Sequence, residues 1–306
     1  MMPLADGRPF LIADVFTDRP FGGNQLAVLP DAQGLTDAQL RGLAREFHFS
    51  ETVFVLPPED PAHSARLRVF TPEEELPFAG HPTVGAAAVL VGEGMLDPAA
   101  TGGRVLFEEG VGVVGVEVSG SFARLTLDAP YLSTSQAPPS RAAVAAALSL
   151  PEEAVVDRWY GGIGLRFCYV RLADAGAVDR ARPDTAAWAA GPAGGWAEDL
   201  YVCGGELADG GRVNARCFLP ASGVPEDPAT GSAAAGLVAG LVARPGHAPA
   251  AAEGEVRLTV DQGVAMGRPS VIEASARWRA GRLSEVSVGG HTVLTARGTI
   301  TPGPAR

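Results

Sequence analysis

Three proton-carrying side chains stand where the backbone has little freedom: Glu51, His81 and Asp227. His81 lies in Gly80-His81-Pro82-Thr83, beside a proline suited to the first turn of a helix. Its imidazole is expected near the positive end of a helix dipole, where the neutral form is favoured. Asp227 lies in Pro225-Glu226-Asp227-Pro228-Ala229-Thr230-Gly231-Ser232. A residue before proline is pushed to extended conformations, so Asp227 is expected at the mouth of a helix beginning near Ala229. Taken alone, that pattern also fits a simple N-cap aspartate. Glu51 follows Phe47-His48-Phe49-Ser50 at a helix-to-strand junction. Aromatic surroundings desolvate a carboxylate and raise its pKa toward the range of a general base. The local pattern alone equally fits an exposed edge residue. Glu46, Glu73, Glu74 and Glu75 read as solvated surface charges.

The two loops carrying His81 and Asp227 are copies of one pattern. Phe70, Pro72 and Pro77 recur as Phe218, Pro220 and Pro225 at a constant offset, close to half the chain length. Each copy predicts a strand, a tight Gly/Pro loop and a helix. Two such units facing each other would join two helix N-termini and two polar loops in one site, able to hold an anion and move a proton.

The elements that must position these residues follow from periodicity. Strands are expected over 10–16 and 26–29, joined as a hairpin through Phe21-Gly-Gly-Asn. A helix capped by Thr36 runs to about Phe47, with Leu40, Leu43, Ala44 and Phe47 on one face. Strands at 51–56 and 67–70 lead to a helix through about Val91, then to strands near 104–108, 112–118 and 122–128. Ala129 to Pro139 is polar and Pro-rich and marks the domain crossing. Beyond it, helices are expected near 140–148, 185–190 and 229–243. Strands are expected near 166–171, 199–203, 212–219, 255–260, 269–276, 282–287 and 292–299. Few central helices and many strands indicate an α+β protein. The expected domains are 1–130 with 288–306, and 131–287, with the active site in the cleft between them.

Composition narrows the chemistry. The chain has 306 residues and a formal net charge of −11, which argues against nucleic acid and anionic membranes as partners. It contains no lysine, so a pyridoxal phosphate Schiff base and a Walker-type phosphate loop are excluded. Cys168, Cys203 and Cys217 are scattered, as expected of reduced thiols in a cytoplasmic protein. The histidines form no metal-binding spacing, so no metal is expected. Ser232 is not in a Gly-x-Ser-x-Gly elbow and fits a helix cap or a carboxylate contact better than a nucleophile. Gly161-Gly-Ile-Gly does not open a helix in the manner of a dinucleotide site. The N-terminus lacks a signal pattern, and no apolar run reaches membrane-spanning length. Acid–base chemistry without a cofactor remains.

A longer set of segments carries a resemblance. Asp14-Val-Phe-Thr, Gly22-Gly-Asn24-Gln25-Leu-Ala-Val, Phe49-Ser-Glu51-Thr, Gly80-His81-Pro-Thr83, Glu226-Asp227-Pro-Ala-Thr230-Gly231-Ser232-Ala and Gln262-Gly263-Val-Ala-Met-Gly267-Arg268-Pro-Ser270 occur in one order along nearly the whole chain. Together they resemble the phenazine-biosynthesis isomerase family (PhzF-like). The resemblance implies a diaminopimelate epimerase-like fold: two pseudo-symmetric lobes, each a barrel-like, mostly antiparallel sheet around a central helix. It also implies no cofactor, a small carboxylate substrate of dihydro-hydroxyanthranilate type, and a homodimer. The catalytic glutamate, histidine and aspartate of the family map to Glu51, His81 and Asp227. Within the same motifs Asn24, Gly80, Thr83, Gly231 and Ser232 are the candidate substrate-binding residues. Related epimerases and racemases carry paired cysteines as bases. The positions aligned with them here are read as Ala79 and Asp227, which favours a glutamate-type isomerase. A two-base epimerase and a non-catalytic ligand-binding protein on the same scaffold are the alternatives.

Overall fold

The computed structural model describes residues 7–128, 130–220, 224–244, 246 and 250–304. The N-terminal segment read for a signal pattern lies largely outside these, as does Ala129 at the start of the Pro-rich stretch. The chain divides into two compact units. One runs to Thr126 and resumes at Gly289; the other is Leu127–Val288.

The first unit contains β1 (Arg8–Val15), β2 (Asn24–Leu29), α1 (Asp37–Phe47), β3 (Glu51–Leu56), β4 (Ala65–Phe70), β5 (Glu75–Leu76) and α2 (Gly80–Gly92). It continues with β6 (Val105–Glu109), β7 (Gly112–Ser119) and β8 (Phe122–Leu127). α1 begins with a capping box, Thr36 and Gln39 each bonding the other's backbone N–H, which contributes about 1 kcal/mol. α1 buries Leu40, Leu43 and Ala44 on the outside of the sheet, against Leu29, Phe54 and Phe70. It serves as the crossover between the parallel strands β2 and β3.

The strands of this unit close into a ring. β1 pairs β2, β2 pairs β3, β3 pairs β4, β4 pairs β6, β6 pairs β7 and β7 pairs β8. The last strand of the chain, β17 (Arg282–Ile300), completes an eight-stranded barrel by pairing both β8 and β1. α2 packs against β1, β2, β3 and β7 and is buried from His81 to Leu90. Its composition explains this position. Val, Ala and Leu surround it on every side, so it has no face to offer water.

The second unit repeats the plan. It comprises β9 (Tyr131–Leu132), α3 (Arg141–Ala147), β10 (Val155–Ile163), β11 (Phe167–Leu172), α4 (Ala175–Arg180), α5 (Thr185–Ala190), β12 (Leu200–Gly205) and β13 (Gly211–Leu219). Then come β14 (Val224–Asp227), α6 (Gly231–Ala243), β15 (Gly254–Gln262), β16 (Ser270–Arg279) and the first part of β17. The pairing sequence is antiparallel β10–β11, parallel β11–β12, antiparallel β12–β13, parallel β13–β15 and antiparallel β15–β16. The first unit shows the same alternation over β1, β2, β3, β4, β6 and β7. α6 packs against β9, β10, β15 and β16 as α2 packs in its own barrel. α3, α4 and α5 cover the outer face around Trp188, Val178 and Leu148. The fold is α+β and diaminopimelate epimerase-like.

Some elements depart from expectation. The strands expected at 282–287 and 292–299 are one strand, β17, running through Gly289-Gly290. The glycine pair reads as a break, but a Cβ on Gly289 would come within 2.7 Å of the Ala123 carbonyl oxygen, so glycine serves close strand approach there. β10 was hidden because Gly161-Gly162 also reads as a loop; Gly161 instead lies under the Tyr131 ring. The chain first passes between units at 126/127, at the end of β8 and ahead of the Pro-rich stretch.

Candidate functional site

In the first barrel, local chain geometry gathers several candidates at one rim. β1 ends there and β2 begins there with Asn24 opposite Val15. β3 runs parallel to β2 and begins there with Glu51 opposite Leu26. β4 ends there, Phe70 facing Thr52. The chain then turns through β5 and drops His81 into the first turn of α2. Nδ1 of His81 lies 3.5 Å from Oε2 of Glu51, with the side chains 6 % and 18 % exposed.

The environment of Glu51 favours its protonated form. Its Oε2 is buried and makes no hydrogen bond among the described residues. Burial pushes its pKa up to about 7, partly opposed by the Ser50 hydroxyl. The same hydroxyl donates to Oδ1 of Asn24 at 3.2 Å, tying the start of β2 to the residue before Glu51. Asn24 itself is 3 % exposed. Desolvation by the fold thus prevails over the edge-residue alternative.

The hairpin leading to Asn24 is unusually constrained. Phe16 and Phe21 both have left-handed backbone, φ 66° and 69°. Each such residue costs on the order of 1–2 kcal/mol. Buried Asp14 holds the loop by accepting the Phe21 N–H at 2.7 Å. Gly23 has φ 62°, and a Cβ there would lie 2.3 Å from the Val15 carbonyl oxygen.

Thr83 is placed differently from the others. It is fully buried, its Oγ1 lying 2.8 Å from both the Ala79 carbonyl oxygen and Oε1 of Glu109. A hydroxyl has one proton to give. If Thr83 donates to Ala79, a protonated Glu109 must donate to Thr83. Burial, weakly opposed by that hydrogen bond, pushes Glu109 up to about 8, consistent with a neutral carboxyl. The sequence offered no signal for Glu109, since Glu108-Glu109 reads as a surface pair.

A concavity of about 940 Å³ on this unit is lined by Arg66, Arg68, Glu75, Glu108 and Glu109 among others, but not by Glu51 or His81. Arg66 pairs with Glu59, and Arg68 with Asp37 and Glu75. Its cations are already engaged, so it does not compete as an anion site. Glu46, Glu73, Glu74 and Glu75 are exposed, as expected.

In the second unit Asp227 ends β14 rather than capping a helix, because α6 begins only at Gly231. Its Oδ2 accepts the Thr230 hydroxyl at 2.5 Å. Gln262, fully buried and assigned no role from the sequence, organises this corner. Its Nε2 donates to the Asp227 carbonyl and to Thr230 Oγ1, both at 2.9 Å. Its Oε1 accepts from Tyr201 Oη at 3.1 Å and from the Thr230 N–H at 3.3 Å. Gly231 is buried and Ser232 half-buried in the first turn of α6.

The helix starts also correct an equivalence. α2 is preceded by Ala79 and α6 by Thr230. The position matching Ala79 is therefore Thr230, and Asp227, opposite Cys217, matches Leu76, opposite Val69. Three additional residues in the second loop separate the two registers. Neither helix start carries a thiol, and Cys168, Cys203 and Cys217 are fully buried with pKa values raised by desolvation. Among the described residues no group of His, Cys, Asp and Glu is placed to hold a metal ion. No helix among them is long and apolar enough to cross a membrane.

Comparison with known proteins agrees with this architecture. An isomerase of uncharacterised activity from Mesorhizobium japonicum is 37 % identical, over 96 % of this chain and 98 % of its own. The trans-2,3-dihydro-3-hydroxyanthranilate isomerase of Pseudomonas chlororaphis is 35 % identical, over 95 % of this chain and 98 % of its own. A PhzF-family structure from Bacillus anthracis superposes with a TM-score of 0.80 at 21 % identity, covering 96 % of this chain and 99 % of that one. With residues 13–298 matching its family pattern, the chain belongs to the phenazine biosynthesis-like protein family.

Proposed function

We propose that the chain is an isomerase that shifts a proton within a small carboxylate-bearing substrate of the dihydro-hydroxyanthranilate type, without a cofactor. The observation that carries the reading is the buried Glu51 carboxyl, raised to about 7 and 3.5 Å from His81. A base with a pKa near the working pH can take a proton from carbon and return it. Relatives 35 % identical over nearly their full length bear the name trans-2,3-dihydro-3-hydroxyanthranilate isomerase, which supports this substrate class.

In the proposed mechanism Glu51, as carboxylate, removes a proton from carbon and, as acid, delivers it elsewhere on the same π system. His81 positions the substrate and relays protons to its heteroatoms. Asp227, Gly231 and Ser232 of the second unit are proposed to act on the same molecule. Backbone N–H groups at Gly80 and at Gly231-Ser232 hold the carboxylate and the charge that develops. A well-aimed donor of this kind is worth ~3 kcal/mol in the transition state.

The test is turnover of trans-2,3-dihydro-3-hydroxyanthranilate in D2O followed by NMR. Deuterium uptake with double-bond migration supports the isomerase. Uptake with inversion at a stereocentre and no migration identifies an epimerase instead. Tight binding without exchange identifies a ligand-binding protein.

A further inference from the structure

The first hairpin presents a side chain that the fold does not use. Phe21 is 77 % exposed, although its backbone is held in the left-handed region. Buried Asp14 fixes its N–H. Thr17 closes the other half of the turn through Oγ1 to Arg19, and its own N–H donates to the His291 carbonyl oxygen at 2.9 Å. A bulky residue in such a conformation persists only where its surroundings over-determine it, and such residues cluster at ligand clamps. Here the constraint aims a phenyl ring into solvent, at the rim where Asn24, Ser50 and Glu51 are tied together.

We infer that Phe21 determines substrate specificity, its ring lying against the unsaturated carbon skeleton of the carboxylate handled at Glu51. This rests on the function proposed above. The candidate groups gathered at this rim are polar: the Asn24 amide, the Ser50 hydroxyl, the Glu51 carboxyl and the His81 imidazole. Those groups orient a substrate, but they give no affinity for a flat apolar framework. An aromatic ring on a constrained backbone gives that affinity with few side-chain torsions to order, and keeps water from the proton in transit.

The test compares wild type, Phe21→Ala and Phe21→Leu in the full chain. Steady-state kinetics use trans-2,3-dihydro-3-hydroxyanthranilate, and calorimetry uses 3-hydroxyanthranilate and acetate as binding probes. For Phe21→Ala the inference expects KM and the 3-hydroxyanthranilate Kd to rise about tenfold or more. Acetate binding, melting temperature and the pH midpoint of kcat should stay unchanged, and Phe21→Leu should recover most of the affinity. Unchanged KM and Kd in Phe21→Ala overturn it. So does an equal loss for acetate, or a loss that tracks dissociation of a wild-type oligomer. If wild type binds 3-hydroxyanthranilate through Phe21 but turns nothing over, the inference stands and the isomerase reading falls. If wild type binds no ring compound, both fall.

Discussion

Oε2 of Glu51 and Nδ1 of His81 lie 3.5 Å apart, the first at the start of β3 and the second in the opening turn of α2. A strand parallel to β2 and a helix buried in the barrel fix that separation. The pair is therefore set by the core, not by loop conformation.

Replacing Glu51 by Gln should preserve the fold and lower kcat by about a hundredfold to ten-thousandfold. In the wild type, kcat/KM should rise with pH and level off above a midpoint near 7, because the base must be ionised. Stability should run the opposite way. Burial raises the folded-state pKa from an ordinary 4.5 to about 7, so the native state holds a proton that the unfolded chain has lost. Wild-type stability should fall from about pH 4.5 to 7, and Glu51→Gln should flatten that slope. A pH–rate midpoint near 4.5 would remove Glu51 from the base role.

Glu109 gives a second pH dependence with no direct part in the chemistry. Its folded-state pKa, about 8, lies above the ordinary 4.5, so its cost to stability develops between those values and is complete above 8. Glu109→Gln can still donate to Thr83 Oγ1 through its amide. The variant should match wild type in stability near pH 4.5 and exceed it at pH 9 by up to about 5 kcal/mol, seen as a higher melting temperature. Equal melting curves at pH 9 would show that the wild-type carboxylate is accommodated.

Gly23→Ala tests the rigidity of the first hairpin. A methyl group 2.3 Å from the Val15 carbonyl oxygen, on a backbone at φ 62°, cannot be accommodated without moving the turn. The expected cost is about 2 kcal/mol or more, several degrees in melting temperature. Because the turn also sets Phe21 and Asn24, KM should rise as well. A fully stable variant would show that the turn has another conformation open to it.

What could be read without coordinates was what local pattern encodes. Thr36 announces a helix start, and the copied Phe-x-Pro loops announce a duplicated unit that the strand-pairing order of the two units repeats. Glycine misled wherever it served packing: Gly161-Gly162 and Gly289-Gly290 read as breaks but lie inside strands. The spacing of the second loop misled as well, because three extra residues place Thr230, not Asp227, opposite Ala79 in the repeat. The roles of Glu109 and Gln262 were illegible because their hydrogen-bond partners lie 26 and 32 residues away in the chain.

Gln262 gives the strongest test of the proposed role of Asp227. Its amide is fully buried and makes four hydrogen bonds, to Tyr201, twice to Thr230, and to the Asp227 backbone. Gln262→Leu keeps the volume but leaves the Tyr201 hydroxyl and the Thr230 N–H without their acceptor. Each such loss costs about 1–3 kcal/mol, so the variant should be destabilised by roughly 3 kcal/mol in total. The more telling readout is catalytic. Thr230 donates to the Asp227 carboxylate, and Gln262 holds Thr230 in place. If Asp227 acts on the substrate, Gln262→Leu should depress kcat well below wild type at a temperature where both are fully folded. The Glu51 pH midpoint near 7 should be unmoved. Lost stability with wild-type kcat would reduce Gln262 to a packing residue and weaken the case for Asp227.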